Sequence, residues 1–210
     1  MSDNYITIKQ EVTYEQVINK SRFITSLYPV STEDEAKAYI ALTKDTHKGA
    51  NHNCSAYTLG TAHQIQKAND DGEPSGTAGV PMLETLKKED VHNVVAIVTR
   101  YFGGVKLGTG GLIRAYQSGI TEAVRQTGKV SMQQAERYLV TMNYEQTGKF
   151  DHFIDQTPYD VIDKSYTDKV TYTIHITAED VPAFESFVSN QTNGQAAIKK
   201  EASLMLPFDL

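Results

Sequence analysis

A chain of 210 residues with 40% hydrophobic and 22% charged residues has the composition of a folded globular protein, long enough for two domains. Its formal net charge of −6 excludes coating of nucleic acid or anionic lipid by bulk charge alone, so a polyanionic partner requires a local basic patch. The single cysteine excludes an internal disulfide. No apolar run approaches the roughly 20 residues that a membrane span requires, and the amino terminus lacks a secretory pattern. We therefore expect a cytoplasmic protein without a membrane partner.

The first 129 residues predict one domain of mixed strands and helices. β-Branched and aromatic runs predict strands, and apolar residues at helical spacing predict helices. The predicted elements are, in chain order, paired strands over 5–12 and 23–30, a helix from Ser31 that ends before Gly49, a strand over 53–59, a short helix with Pro81 at its first position, a buried strand over 94–102 and an amphipathic helix over 112–124. Gly128 then ends the last helix, and we predict a first domain over 1–129.

Residues 130–210 predict a second domain with a different pattern. Its elements are predicted to be a strand over 134–143, a helix around Phe150, strands over 161–166 and 170–177, a helix around Phe184 and a strand over 197–204. This order is typical of the ferredoxin-like fold, an antiparallel sheet covered by helices on one face. The sequence thus predicts a two-domain protein of the α/β class, in its α+β form.

A glycine-rich segment joins the predicted buried strand to the helix that follows it. Nine of the 14 glycines lie between Gly72 and Gly119, and residues 91–121 contain no Asp or Glu. Glycine allows close approach of a ligand, and the free N–H groups at a helix start favour an anion such as phosphate. We predict a phosphate- or RNA-binding site formed by Arg100, Gly103, Gly104, Lys106, Gly108, Thr109, Gly110, Gly111 and Arg114. The alternative is that these glycines serve only tight turns and helix–strand packing.

The same segment contains aromatic residues but no established nucleotide motif. Tyr101 is a candidate for stacking on a base, whereas Phe102 and Tyr116 are predicted to pack in the core. A Walker loop is excluded because Thr109 stands where lysine is required, and a dinucleotide fingerprint because Ile113 replaces its third glycine.

Two further clusters are candidates for metal chemistry. Asp70, Asp71 and Glu73 offer the oxygen ligands that Mg²⁺ prefers, although three acids on a glycine–proline turn are also typical of a solvated loop. His52 and Cys54 alternate on a predicted strand and can share one face. A thiolate–imidazole pair or a zinc site is one interpretation, and a buried thiol beside a hydrogen-bonded histidine is the other. No nucleophile motif is present, and we expect no cofactor unless the acidic turn holds Mg²⁺.

Four sequence blocks resemble the IMPACT family, specifically its bacterial YigZ-like branch. They are Lys20 to Phe23, His52 to Tyr57, Asp70 to Gly79, and Arg100 to Leu112. The resemblance covers nearly the whole chain and implies an amino-terminal domain like domain 2 of ribosomal protein S5. It also implies a ferredoxin-like carboxy-terminal domain similar to domain V of elongation factor G.

Function is implied by the same resemblance. Eukaryotic members of the family are translation regulators that use an additional amino-terminal module, which we do not expect in this chain because its first predicted strand starts almost at its beginning. What the resemblance implies here is association with RNA or the ribosome, without catalysis. An enzyme acting on a small phosphate compound with Mg²⁺ at the acidic turn is the second hypothesis. A module that binds a protein of the translation machinery is the third.

Overall fold

The computed structural model describes residues 4–210. The chain folds into two compact units, one of residues 4–132 with 207–210 and the other of residues 133–206. The division lies inside one long strand, at residue 132. The two units are described separately below.

The first unit is built on a five-stranded antiparallel sheet. Its elements are β1 (Tyr5–Ile8), β2 (Val12–Ile18), β3 (Ser21–Pro29), α1 (Glu33–Thr46), β4 (His52–Leu59), β5 (Ile65–Asn69), α2 (Gly79–Lys88), β6 (Val94–Tyr101), α3 (Gly108–Thr127) and the start of β7 (Lys129–Met142). The strand order is β2-β3-β6-β4-β5, with β6 at the centre. β1 lies outside this sheet and pairs with residues 129–132 of β7.

Central strand β6 is buried along almost its whole length, as a continuous apolar run predicts. Helices α2 and α3 pack on one face of the sheet, and their apolar sides form the larger core with residues such as Met82 and Ile120. Helix α1 contacts β4 and β6 and belongs to a smaller core that contains Ala36 and Ile97. The sheet is therefore covered by helices on both faces. Strand β6 ends at Tyr101, and the glycine-rich segment follows it directly in the chain.

Several local predictions for this unit were wrong. Residues 5–12 do not form a strand paired with 23–30, because β2 is the partner of β3. Helix α1 is capped by Thr32 rather than Ser31, since the Thr32 hydroxyl accepts a hydrogen bond from the Glu35 amide. Edge strand β5 was not predicted, because its residues are polar or exposed and give no alternating apolar pattern.

The second unit has the predicted element order. After β7 come α4 (Tyr144–Ile154), β8 (Asp160–Tyr166), β9 (Val170–Thr177), α5 (Val181–Thr192) and β10 (Ala197–Asp209). The sheet order is β10-β7-β9-β8, which is the ferredoxin-like arrangement. Every second residue of β9 is buried, and these side chains pack with Phe150 and Phe184 from the two helices. The predicted fold class, two α+β units with antiparallel sheets, is confirmed.

No helix within residues 4–210 combines the length and apolar character needed to cross a lipid bilayer.

Candidate functional site

A cavity of about 470 Å³ lies in the first unit, beside the glycine-rich segment. Its walls come from the start of β4, the turn that precedes α2, the end of β6, and the loop and first turn that begin α3. The antiparallel register places these segments together, since His52 is paired with Arg100 across β4 and β6. Four sequence blocks far apart in the chain therefore meet at one end of the sheet.

A buried ion pair forms the inner wall of the cavity. The Arg100 side chain is almost completely buried, and its Nη1 donates to Glu73 Oε1 at 2.7 Å. Its Nη2 donates to the Ser21 hydroxyl at 3.3 Å. The guanidinium also lies between the rings of Phe23 and Phe102, at 5.3 and 5.5 Å from their centroids. The hydrogen-bond partners of the Arg100 guanidinium thus both lie in the interior of the unit.

Glu73 connects this pair to a polar chain within the core. The Tyr116 hydroxyl donates to Glu73 Oε1 at 2.7 Å, and the Cys54 thiol lies 3.3 Å from the same hydroxyl. The thiol also lies 3.0 Å from the carbonyl oxygen of Asp70. Burial raises the pKa of Cys54 to about 12, and it likewise raises the pKa of Tyr116. Cys54 is therefore a protonated, structural thiol at neutral pH, as the second of the two interpretations predicts.

His52 stands at the cavity wall with one ring nitrogen bonded to the acidic turn. Its Nδ1 lies 3.0 Å from the Asp71 carbonyl oxygen, which can only accept, so Nδ1 carries a proton. Its Nε2 lies 3.8 Å from Glu73 Oε2, beyond hydrogen-bond length. The second ring nitrogen of His52 therefore lies beside a carboxylate oxygen without a direct hydrogen bond to it. His52 and Cys54 do not form a thiolate–imidazole pair, because each is bonded to a backbone carbonyl of the acidic turn.

The acidic turn is stabilised by hydrogen bonds that its own carboxylates accept. Asp70 accepts hydrogen bonds from the amides of Gly76, Ala78 and Gly79, which fixes the loop and the start of α2. Burial alone would raise the pKa of Asp70, but these three amides outweigh it and hold the pKa below its ordinary value.

Asp71 accepts from Lys44 Nζ at 2.6 Å and from the Asn53 amide at 2.7 Å. These bonds, with the charge of Lys44, outweigh burial and lower its pKa as well. With Glu73 turned towards Arg100, the three carboxylates face different partners and do not converge as Mg²⁺ ligands would.

The glycine-rich loop, residues 103–111, is largely exposed. Gly104 and Gly108 have positive φ angles, a conformation that side chains rarely adopt. Gly103 is required for another reason, because a Cβ there would lie 1.9 Å from the Lys20 carbonyl oxygen. This close approach also brings the exposed β2–β3 turn beside the loop, a neighbour that sequence spacing did not reveal.

Helix α3 begins in this loop without a side-chain cap. Leu107 is its N-cap residue, and no acidic residue occurs in its first turn. Lys106 and Arg114 are exposed, and within residues 4–210 neither has a hydrogen-bond or ion-pair partner. Arg114 reaches back over the first turn, since a Cβ on Gly110 would lie 3.4 Å from its Nη1. Two cations therefore flank a helix start whose amides point outwards.

The structure thus brings together most of the predicted site but changes three assignments. Arg100 pairs with Glu73 instead of facing solvent. Tyr101 is half-buried, with its hydroxyl bonded to His47 and the Arg22 guanidinium 5.7 Å from its ring centroid. Phe102, which was predicted to be in the core, is 45% exposed at the cavity and is the better stacking candidate. The predicted core position of Tyr116 is confirmed.

One further cluster contains metal-ligating residue types. Atoms of His63, Asp90 and His92 lie within 4.8 Å of one another. The two imidazole rings stack at 3.9 Å with an interplanar angle of 13°. Their in-plane lone pairs therefore run side by side and do not converge on one ion, as Zn²⁺ coordination requires.

Comparisons with known proteins agree with this architecture. Residues 19–124 match the Impact N-terminal domain, and residues 140–195 match a domain of unknown function, DUF1949. The chain is 43% identical over 200 residues to the IMPACT family member YvyE of Bacillus subtilis, covering 95% of this chain and 92% of the relative. It is 34% identical to the IMPACT family member YigZ of Escherichia coli, covering 87% of this chain and 91% of the relative.

A solved structure is similar over the same extent. The crystal structure of a hypothetical protein superposes with a TM-score of 0.62 at 30% identity, covering 96% of this chain and 99% of that chain. The two domain matches and the full-length relatives establish the family, and this chain belongs to the IMPACT family.

Proposed function

We propose that this protein binds RNA of the translation machinery, the ribosome included, through the glycine-rich loop and the start of α3. The observation that carries the proposal is the pair of exposed cations, Lys106 and Arg114, beside helix amides that no side chain caps. Phosphate groups fit such a surface, because the amides donate and the helix dipole adds to the two positive charges.

Family membership supports the choice of RNA over other polyanions. The resemblance to the IMPACT family implies a role in translation, where the abundant polyanion is RNA. The acidic chain as a whole would repel RNA, whereas the segment 91–121 contains no carboxylate. Binding is therefore expected at this surface and to be strongly dependent on salt. No chemical step is required of the protein in this role.

Co-sedimentation with ribosomes across a salt series tests the proposal. The double variant Lys106→Gln/Arg114→Gln should lower the bound fraction at every salt concentration. On a single-stranded RNA, each lost phosphate contact should remove about 0.7 from the slope of log affinity against log salt. The proposed surface would be rejected if the double variant sedimented with ribosomes as the parent chain does.

A matched control separates local contacts from net charge. Lys67 and Lys88 are also exposed and lack partners within residues 4–210, and they lie outside the loop. The variant Lys67→Gln/Lys88→Gln makes the same change in charge and should leave the slope nearly unchanged. An equal effect of the two double variants would show that only bulk charge matters.

A further inference from the structure

We infer that the cavity beside the loop binds one ribonucleotide, with its phosphate at the start of α3 and its nucleoside over Glu73. The inference rests on the proposed function, since it names the ligand of the innermost part of the same site. The nucleotide could come from solution or from an RNA chain, and the experiment below distinguishes the two sources.

The outer end of the cavity is suited to a phosphate. Lys106, Gly108 and Thr109 line it, and they supply an ammonium group, backbone amides and a hydroxyl at the start of a 20-residue helix. Because the first turn has no acidic residue, its dipole is not neutralised locally. A phosphate there gains charge-assisted hydrogen bonds without displacing an existing partner.

The inner end provides an independent reason to expect a ligand. The Glu73 side chain is only 2% exposed and lines the cavity. Its Oε1 accepts from Arg100 and Tyr116, but Oε2 has no hydrogen-bond donor within residues 4–210, and His52 Nε2 is 3.8 Å away. Among the described residues, the buried Arg100 Nε also has no hydrogen-bond partner. A bound group that donates to Oε2 would add a charge-assisted hydrogen bond to a carboxylate that is almost completely buried.

The two polar atoms at the inner end favour a ligand with two neighbouring hydroxyl or amino groups. Glu73 Oε2 accepts a hydrogen bond, and His52 Nε2, 3.8 Å away, is a second polar atom that a neighbouring group of the same ligand can reach. The cis-diol of a ribose, or the amino and imino groups of a base edge, match this arrangement, and acidic side chains commonly bind ribose hydroxyls. Inorganic phosphate fits this end poorly, because its negative charge would face the Glu73 carboxylate.

An aromatic surface and the cavity size complete the match. Phe102 is 45% exposed at the cavity, and an exposed ring is a stacking surface for a base. The volume of about 470 Å³ lies within the range of roughly 300–1,000 Å³ that is usual for small-ligand sites. The phosphate, the ribose and the base of a nucleotide thus each face a complementary part of the cavity wall.

Isothermal titration calorimetry of the full chain tests the inference. The probes are the 5′-monophosphates of the four common ribonucleosides, the corresponding nucleosides, and inorganic phosphate, at constant ionic strength. At least one monophosphate should bind with micromolar to millimolar Kd and at least tenfold more tightly than its nucleoside or phosphate alone. Equal affinity for phosphate and monophosphate, or no binding of any monophosphate, overturns the inference.

Variants of the walls give a second measurement. Phe102→Ala and His52→Gln should each weaken monophosphate binding by about tenfold, the size of one lost stacking or hydrogen-bond contact. Leu42→Ala, at an exposed position of α1 outside both the loop and the cavity lining, should leave the Kd unchanged. Glu73→Gln is less suitable on its own because it also breaks the ion pair with Arg100. If Phe102→Ala and His52→Gln bound the monophosphate with the Kd of the parent chain, the placement of the nucleotide in this cavity would be overturned.

Competition identifies the source of the nucleotide. If the monophosphate displaces a short single-stranded RNA, the cavity receives a nucleotide of the RNA chain. If both bind at once, the cavity takes a free nucleotide, and either result supports the inference. If the parent chain bound a monophosphate but did not sediment with ribosomes, only the proposed function would be rejected. Retained ribosome binding without monophosphate binding would reject only this inference.

Discussion

The buried pair of Arg100 and Glu73 should make a large contribution to the stability of the first unit. Arg100→Met leaves the Glu73 carboxylate buried with only the Tyr116 hydroxyl as a donor. Breaking a buried pair on one side costs about 3–5 kcal/mol, which is about two to four powers of ten in the unfolding equilibrium constant. Glu73→Gln should also destabilise, because it leaves the buried guanidinium without a counter-charge.

The double variant Arg100→Met/Glu73→Gln distinguishes a specific pair from general damage to the core. Because neither charge remains buried alone, it should lose less than the sum of the single variants, with a coupling free energy of about 1–3 kcal/mol. A coupling near zero, or a loss of less than about 1 kcal/mol for Arg100→Met, would refute the reasoning.

The assay must report on the first unit alone, since the chain has two units. Cys54 is the sole cysteine and is completely buried in that unit, so its reaction with a thiol reagent across a urea series reports local unfolding. The exposed pair of Arg22 and Glu15, with an N–O distance of 2.7 Å, is the matched control. Its corresponding variants should change stability by a small fraction of the effect at Arg100.

Three other changes test single features of the structure. Gly103→Ala should destabilise by about 1–3 kcal/mol in urea unfolding, because its Cβ meets the Lys20 carbonyl oxygen, whereas Gly148→Ala, with no atom within 4 Å, should stabilise helix α4 by about 0.5–1 kcal/mol. At pH 8 Cys54, with its pKa near 12, should react with iodoacetamide at least about a hundredfold more slowly in the folded than in the unfolded chain, and equal rates would contradict its burial. Asp70 has a lowered folded pKa, so its contribution should be full above its unfolded pKa of about 3.9 and be lost as pH falls through the folded value. The stability difference between the parent and Asp70→Asn, measured by urea unfolding at several pH values, should therefore shrink in acid.

The fold was predictable where elements bury a regular apolar pattern. Strand β6 and helix α3 have such patterns, and the strand–helix order of the second unit was visible for the same reason. Edge strand β5 was not visible, because four of its five residues are exposed and its pairing with β4 depends on backbone hydrogen bonds. Pairing of β1 with β7 was also missed, since the two strands are more than 100 residues apart.

The candidate site was predictable only in part, for reasons of long-range geometry. Glycine density and the absence of carboxylates pointed to a loop that is exposed in the structure, and Lys106 and Arg114 have no hydrogen-bond or ion-pair partner within residues 4–210. The burial of Arg100 could have been suspected, because it ends a continuously buried strand. Its partner could not, since Glu73 is 27 residues away and no local pattern relates them. His52 became a wall of the cavity only through its register with Arg100.

Mg²⁺ should leave nucleotide binding unchanged, a result that separates the binding role from the phosphate-enzyme alternative. A kinase-like site needs open carboxylate oxygens near the phosphates, but Asp70 is bonded to three amides and Asp71 to Lys44 and the Asn53 amide. Recruiting either carboxylate would break hydrogen bonds that hold the loop before α2, or an ion pair. Monophosphate titrations with millimolar Mg²⁺ and with chelator should therefore give the same Kd. A rise in affinity of about tenfold with Mg²⁺ that Asp70→Asn or Asp71→Asn abolishes would favour the enzyme, because it would show that the turn opens to bind the ion.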